Sequence, residues 1–233
     1  MIYYNNKIIV RRKGSIPMNK QDIVTIATRL SVRTPLQSLS PNRVWDEPLN
    51  GRIAEIADLW TASGLQTGPV SGSSGDAAEL RLEALAFQAG LHLWNDDLDG
   101  SHSISQQVET ATGSLWHGIM HRMEGDYGNA KYWFHRVGSH PSYAAMQASA
   151  AGYVQASAIA EVEDAEVRRM LERIGAQPEW NPFVLADAVQ RQTERQGCDT
   201  AETILRGLQR IELMRLTEHS FAILFGGGLF EAE

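Results

Sequence analysis

His117, His121 and Glu124 stand at spacings of four and three, which on a helix puts two imidazoles and a carboxylate on one face. Such a face suits a divalent ion, zinc, iron or manganese, with coordination positions left for water. His102, from the preceding hairpin, and Asp126, at the turn that follows, are candidate additional ligands. An ion held this way lowers the pKa of its bound water towards about 7 and so supplies a nucleophile. The zinc-protease helix needs Glu directly after the first His; Gly118 stands there, so that mechanism is excluded.

The same residues support two other readings. In a metal-free one, His117, His121 and Asp126 work as acid–base groups near neutral pH. Arg122, Lys131 and Arg136, with His135 and His140 nearby, then bind a carboxylate or phosphate, and Trp116, Tyr132 and Trp133 wall the pocket. In a structural one, the two histidines pack at a helix interface and bond to Asp or backbone groups, while the aromatic run Tyr132–Trp133–Phe134 is core. Ser114, one turn before His117, is placed to hydrogen-bond with it but makes a poor nucleophile without an oxyanion site.

Neighbouring motifs carry less. Asp96, Asp97 and Asp99 look like a calcium loop, but position twelve of a loop starting at Asp96, where a glutamate is required, is Gln107, so they read as turn and cap residues, with one placed to orient His102 or His121. The glycine-rich stretches at 71–75 and 226–228 lack the lysine and strand–helix setting of a phosphate loop.

The elements that position these residues read as helices. Apolar periodicity predicts helices over 19–31 and 51–63. A proline-rich break lies between them at 34–48, and a Gly/Ser linker follows at 64–75. The main stripe is Leu80, Ala84, Phe87, Leu91 and Trp94, with Asp76 and Glu79 as its capping box. Further helices are expected over 101–108, 112–124, 129–137, an alanine-rich 141–163, one after Asp164, one opening at Asn181–Pro182, and a long one from about Thr200. The expected class is all-α: antiparallel helical hairpins packed around a central His-rich hairpin, with the 141–163 and final helices enclosing it. Three segments follow: 1–17 as an extension outside the folded domain or a short strand, 18–75 as a loose helical segment and linker, and 76–233 as the main domain.

Composition bounds the partners. Residues 1–17 carry four basic groups and no acid, within a net charge of −7 for 233 residues, so the remainder is strongly acidic and argues against nucleic acid. No run of eighteen apolar residues exists, which argues against a membrane span. Cys198 is the single cysteine, which excludes an internal disulfide and fits a cytoplasmic setting.

Two resemblances add to this. Gly118, Gly125, Tyr127, Ala130, Phe134 and, one place early, Pro141 resemble a single tetratricopeptide repeat, with Val137 where a small residue is usual. That implies two antiparallel helices joined at Gly125–Asp126, and a helical module that binds a protein partner. Ser114, His117 and His121 occupy positions where the repeat has large apolar residues. The whole chain is also similar to an uncharacterised group of bacterial and fungal proteins with the run WHxxxHRxEGDxxNxKYWFxRVGxHP, here Trp116 to Pro141, a resemblance that implies no activity. The functional expectation is a small-molecule enzyme or binder, metal-dependent or not, with the interaction module as its alternative.

Overall fold

A computed structural model describes residues 3–4, 7–8, 19–56, 74–195 and 197–230. Ten α-helices make up this part of the chain: α1 Lys20–Ser31, α2 Glu47–Ala54, α3 Ser74–Trp94, α4 Leu98–Ser105, α5 Ala111–Glu124, α6 Tyr127–Val137, α7 Tyr143–Gln155, α8 Ala165–Ala176, α9 Pro182–Glu194 and α10 Asp199–Phe225. The fold is all-α, as expected. Two short strands, β1 Tyr3–Tyr4 and β2 Lys7–Ile8, pair with each other, antiparallel, with Tyr3 opposite Ile8. Residues 57–73 lie outside the described residues; the last two residues of the expected Gly/Ser linker, Ser74 and Gly75, open α3.

Local chemistry sets most boundaries. Asn19, Asp46, Asp97, Thr110, Asp126, Asp164 and Asn181 each accept an amide hydrogen bond at a helix start, offsetting donors that have no partner within the helix. Several boundaries differ from expectation for the same reason. α2 begins at Glu47 instead of Gly51, because Asp46 caps it and Pro48 falls in the first turn, where a missing amide costs nothing. α3 begins at Ser74, two residues ahead of Asp76. Asp97 likewise starts α4 at Leu98.

The alanine-rich segment departs most. α7 covers only Tyr143–Gln155, and a single 3₁₀ turn at Ile159–Glu161 replaces the rest. Alanine favours helix but defines no apolar stripe, so it gave no signal for where the helix ends.

α5 and α6 form the expected hairpin. Gly125 at φ 90° ends α5 in the left-handed conformation that glycine adopts without strain, and Asp126 caps α6 immediately after. Gly118 lies against the Phe134 ring so closely that an added Cβ would sit 2.5 Å from Cε1. That contact, with buried Ala130, sets the separation of the two helices. The hairpin packs chiefly against α3 and α4 on one side and α9 on the other. α7 and α10 instead pack mainly on each other, on α8 and on α3, which corrects the expectation that these two enclose the hairpin.

Candidate metal centre

α4 and α5 bring three histidines together. His102 on α4 stands edge-on to His117 and His121, with ring centroids 5.0 and 5.3 Å away. His117 and His121, one turn apart on α5, lie nearly parallel at 4.7 Å. A ligand nitrogen from each falls within 4.8 Å of the other two. Trp133 from α6 closes the site by stacking on His117 at 4.0 Å, and the Arg136 guanidinium lies 5.3 Å from the Trp133 ring.

His117 is only 2% exposed, and neither of its ring nitrogens has a hydrogen-bond partner among the described residues. The bond to Ser114 that the sequence allowed is therefore not made. Burial pushes the His117 pKa down to about 3, with His121 and His102 adding to the effect. The ring is neutral at physiological pH, with a lone pair directed at no hydrogen.

His121 is anchored at both nitrogens. Its Nδ1 lies 3.1 Å from the Glu124 carboxylate, an acceptor only, so Nδ1 carries the proton and donates. Its Nε2 then accepts from Asn129 Nδ2 at 3.0 Å. Burial lowers the His121 pKa, and Glu124 and Asp126 partly oppose that. Glu124, with half its side chain in solvent, thus orients an imidazole from behind instead of joining the three nitrogens as a ligand.

The other expected site residues are not gathered here. Asp126 is exposed and spends a carboxylate oxygen on the Asn129 amide, 3.0 Å away, as the cap of α6. Trp116 is buried in the core against Gly90 and walls no site. Arg122 is buried too, paired with Glu212 of α10 at 2.6 Å. Lys131 pairs with Asp187 of α9 at 2.6 Å. Tyr132 is 54% exposed and accepts from Arg136 Nη1 at 3.5 Å. The aspartates before α4 orient neither His102 nor His121: Asp97 bonds His92 Nδ1 at 2.8 Å, and Asp96 pairs with Arg33 at 2.8 Å. A surface cleft of about 650 Å³, lined by residues including Gly138, Tyr143, Arg173, Trp180 and Phe183, contains none of the three histidines.

Sequence reasoning missed Asn129. The turn centred on Gly125 places residues 121 and 129 symmetrically in the hairpin, and that symmetry is the signal that points to it. It also missed a second buried network. Ser142 N–H donates to His140 Nδ1 at 3.2 Å, so Nε2 carries the proton and faces Thr112 Oγ1 at 3.3 Å. Thr112 donates to Glu83 at 3.0 Å, and His219 packs edge-on to His140 at 5.0 Å.

Burial, with a contribution from His219, pushes the His140 pKa down to about 4. A depressed histidine pKa means that the unfolded chain takes up a proton near pH 6.5 that the folded chain refuses. Stability from this group is full above about 6.5 and is lost as pH falls towards about 4. Urea unfolding at pH 7 and 4.5 is expected to show a loss in the wild type that His140→Gln reduces by roughly 2 kcal/mol. Equal losses in the two proteins would rule out a buried neutral imidazole.

No described helix is long and apolar enough to cross a membrane. No protein-family model, no curated protein and no solved structure matches the chain.

Proposed function

We propose that this chain is a metal-dependent enzyme of small-molecule hydrolysis, with one divalent ion held by His102, His117 and His121. The observation that carries the reading is His117: a buried imidazole with no partner at either nitrogen. Buried polar groups are almost always hydrogen-bonded, because leaving one bare costs about 1–3 kcal/mol. Other buried groups, such as Trp116 Nε1, share this lack of a partner, but among the described residues only at His117 do two further imidazoles stand close enough for an ion to offset the cost. Three imidazoles within 4.8 Å, on two helices held by the hairpin fold, supply a donor set that suits zinc, iron or manganese.

All three ligands are neutral, so the ion keeps its full charge, which favours ionisation of a bound water and gives a nucleophile near neutral pH. Glu124 fixes the tautomer and direction of His121 by accepting from its Nδ1. Trp133 covers the His117 ring as an apolar, half-buried wall.

Protein purified without a histidine tag is expected to contain close to one equivalent of zinc, iron or manganese, removable by a chelator and absent from the His117→Ala/His121→Ala double variant. Folded wild type that is metal-free and resists loading would remove the proposal and leave the hairpin as a protein-interaction surface.

A further inference from the structure

We infer that Asn129 is a fourth protein ligand of the ion, which makes the centre three nitrogens and one amide oxygen; this rests on the three-histidine reading above. Because His121 Nδ1 donates to Glu124, Nε2 holds the only in-plane lone pair that His121 can offer an ion. That atom faces the Asn129 side-chain amide at 3.0 Å. Adjacent ligands on one ion, with bonds of about 2.1 Å, lie roughly 3.0 Å apart in an octahedral arrangement and roughly 3.4 Å in a tetrahedral one. The amide therefore lies at the separation that a neighbouring ligand has.

Its N–H end points at Nε2. A cation at Nε2 repels that end and attracts the oxygen. The amide oxygen and nitrogen are nearly equal in size, so a half-turn of the terminal torsion exchanges them without moving α6. Among the described residues no other hydrogen bond opposes the turn: the side-chain bonds of Asn129 are both to the His121 ring. Its backbone is independently held, since its own amide hydrogen goes to Asp126 at 3.0 Å. On a six-coordinate ion this set leaves two positions for water and substrate, which iron and manganese accept more readily than zinc.

The test is Co²⁺ titration of chelator-treated, tag-free full chain, with affinity from chelator competition and geometry from the visible cobalt bands. Asn129→Leu is expected to weaken Co²⁺ binding at least tenfold and shift the bands. Asn129→Asp, with an oxygen at the same reach and an added negative charge, is expected to tighten binding at least tenfold at pH 7. If Asn129→Leu failed to fold, Asn129→Asp would decide alone.

Binding by Asn129→Leu that equals or exceeds wild type with unchanged bands would overturn the inference, since Asn129 would then merely obstruct Nε2. Unchanged binding in Asn129→Asp would overturn it too. If wild type bound no Co²⁺, the three-histidine reading itself would fall. If wild type bound and neither variant changed, that reading would stand and only the fourth ligand would be lost.

Discussion

Replacing His117 with leucine is expected to stabilise the metal-free protein by on the order of 1 kcal/mol and to abolish metal binding. The imidazole is buried with two bare nitrogens, which costs about 1–3 kcal/mol relative to a partnered ring. Leucine removes that cost, is of similar size, and keeps apolar contact with the neighbouring rings. It forfeits the stacking of His117 on Trp133, worth about 0.5–1.5 kcal/mol, so the net gain is modest. Urea denaturation after chelator treatment, alongside metal content, checks both halves. A site residue whose removal stabilises the fold is retained for its chemistry; a clear loss of stability in the metal-free state would instead make His117 a packing residue. With an ion bound, the order should reverse, because ligand binding stabilises the wild type alone.

How much of this was readable beforehand follows from the range over which each feature is encoded. His117 and His121 were legible because their partnership is one helical turn, fixed by backbone geometry. The closeness of Gly118 and Phe134 was legible for a related reason, since a hairpin motif with a short turn spans both. Glu124 fell on the expected helix face, but spacing alone does not say which imidazole nitrogen it meets, and the nitrogen separates an orienting group from a ligand. Trp116 and Arg122 read as pocket groups because each stands beside a histidine in the chain. Consecutive residues on a helix diverge by about 100°, and both turn into the core. The partner that explains Arg122 is Glu212, ninety residues away, beyond the reach of any local pattern. The second network is still less legible, since Glu83, Thr112, His140 and His219 come from four separate parts of the chain.

Glu212→Gln is expected to destabilise the fold by about 3–5 kcal/mol. Arg122 and Glu212 are both fully buried and bond at 2.6 Å, and the second Glu212 oxygen accepts from Trp180 Nε1 at 3.2 Å. One carboxylate thereby ties α5 to α10 and to the segment that leads into α9. Glutamine keeps the volume, so no cavity forms; what changes is that the Arg122 charge is left in the core without compensation. Arg122 Nε and Nη1 already lack partners, and the Tyr143 hydroxyl nearby, held in its neutral form by burial and by the charges of Glu212 and Glu179, offers no anion to replace Glu212. The double variant Arg122→Met/Glu212→Leu should recover most of the loss, because it removes both charges and fills the space with apolar atoms. Urea midpoints for the two variants and wild type measure this directly, and a cost below about 1 kcal/mol for Glu212→Gln would mean that Arg122 finds another acceptor in solution. Arg122 points about 100° around α5 from His121, so Co²⁺ affinity of the folded double variant should match wild type. Stability and metal binding are thus carried on two faces of one helix, and substitutions on each should read out separately.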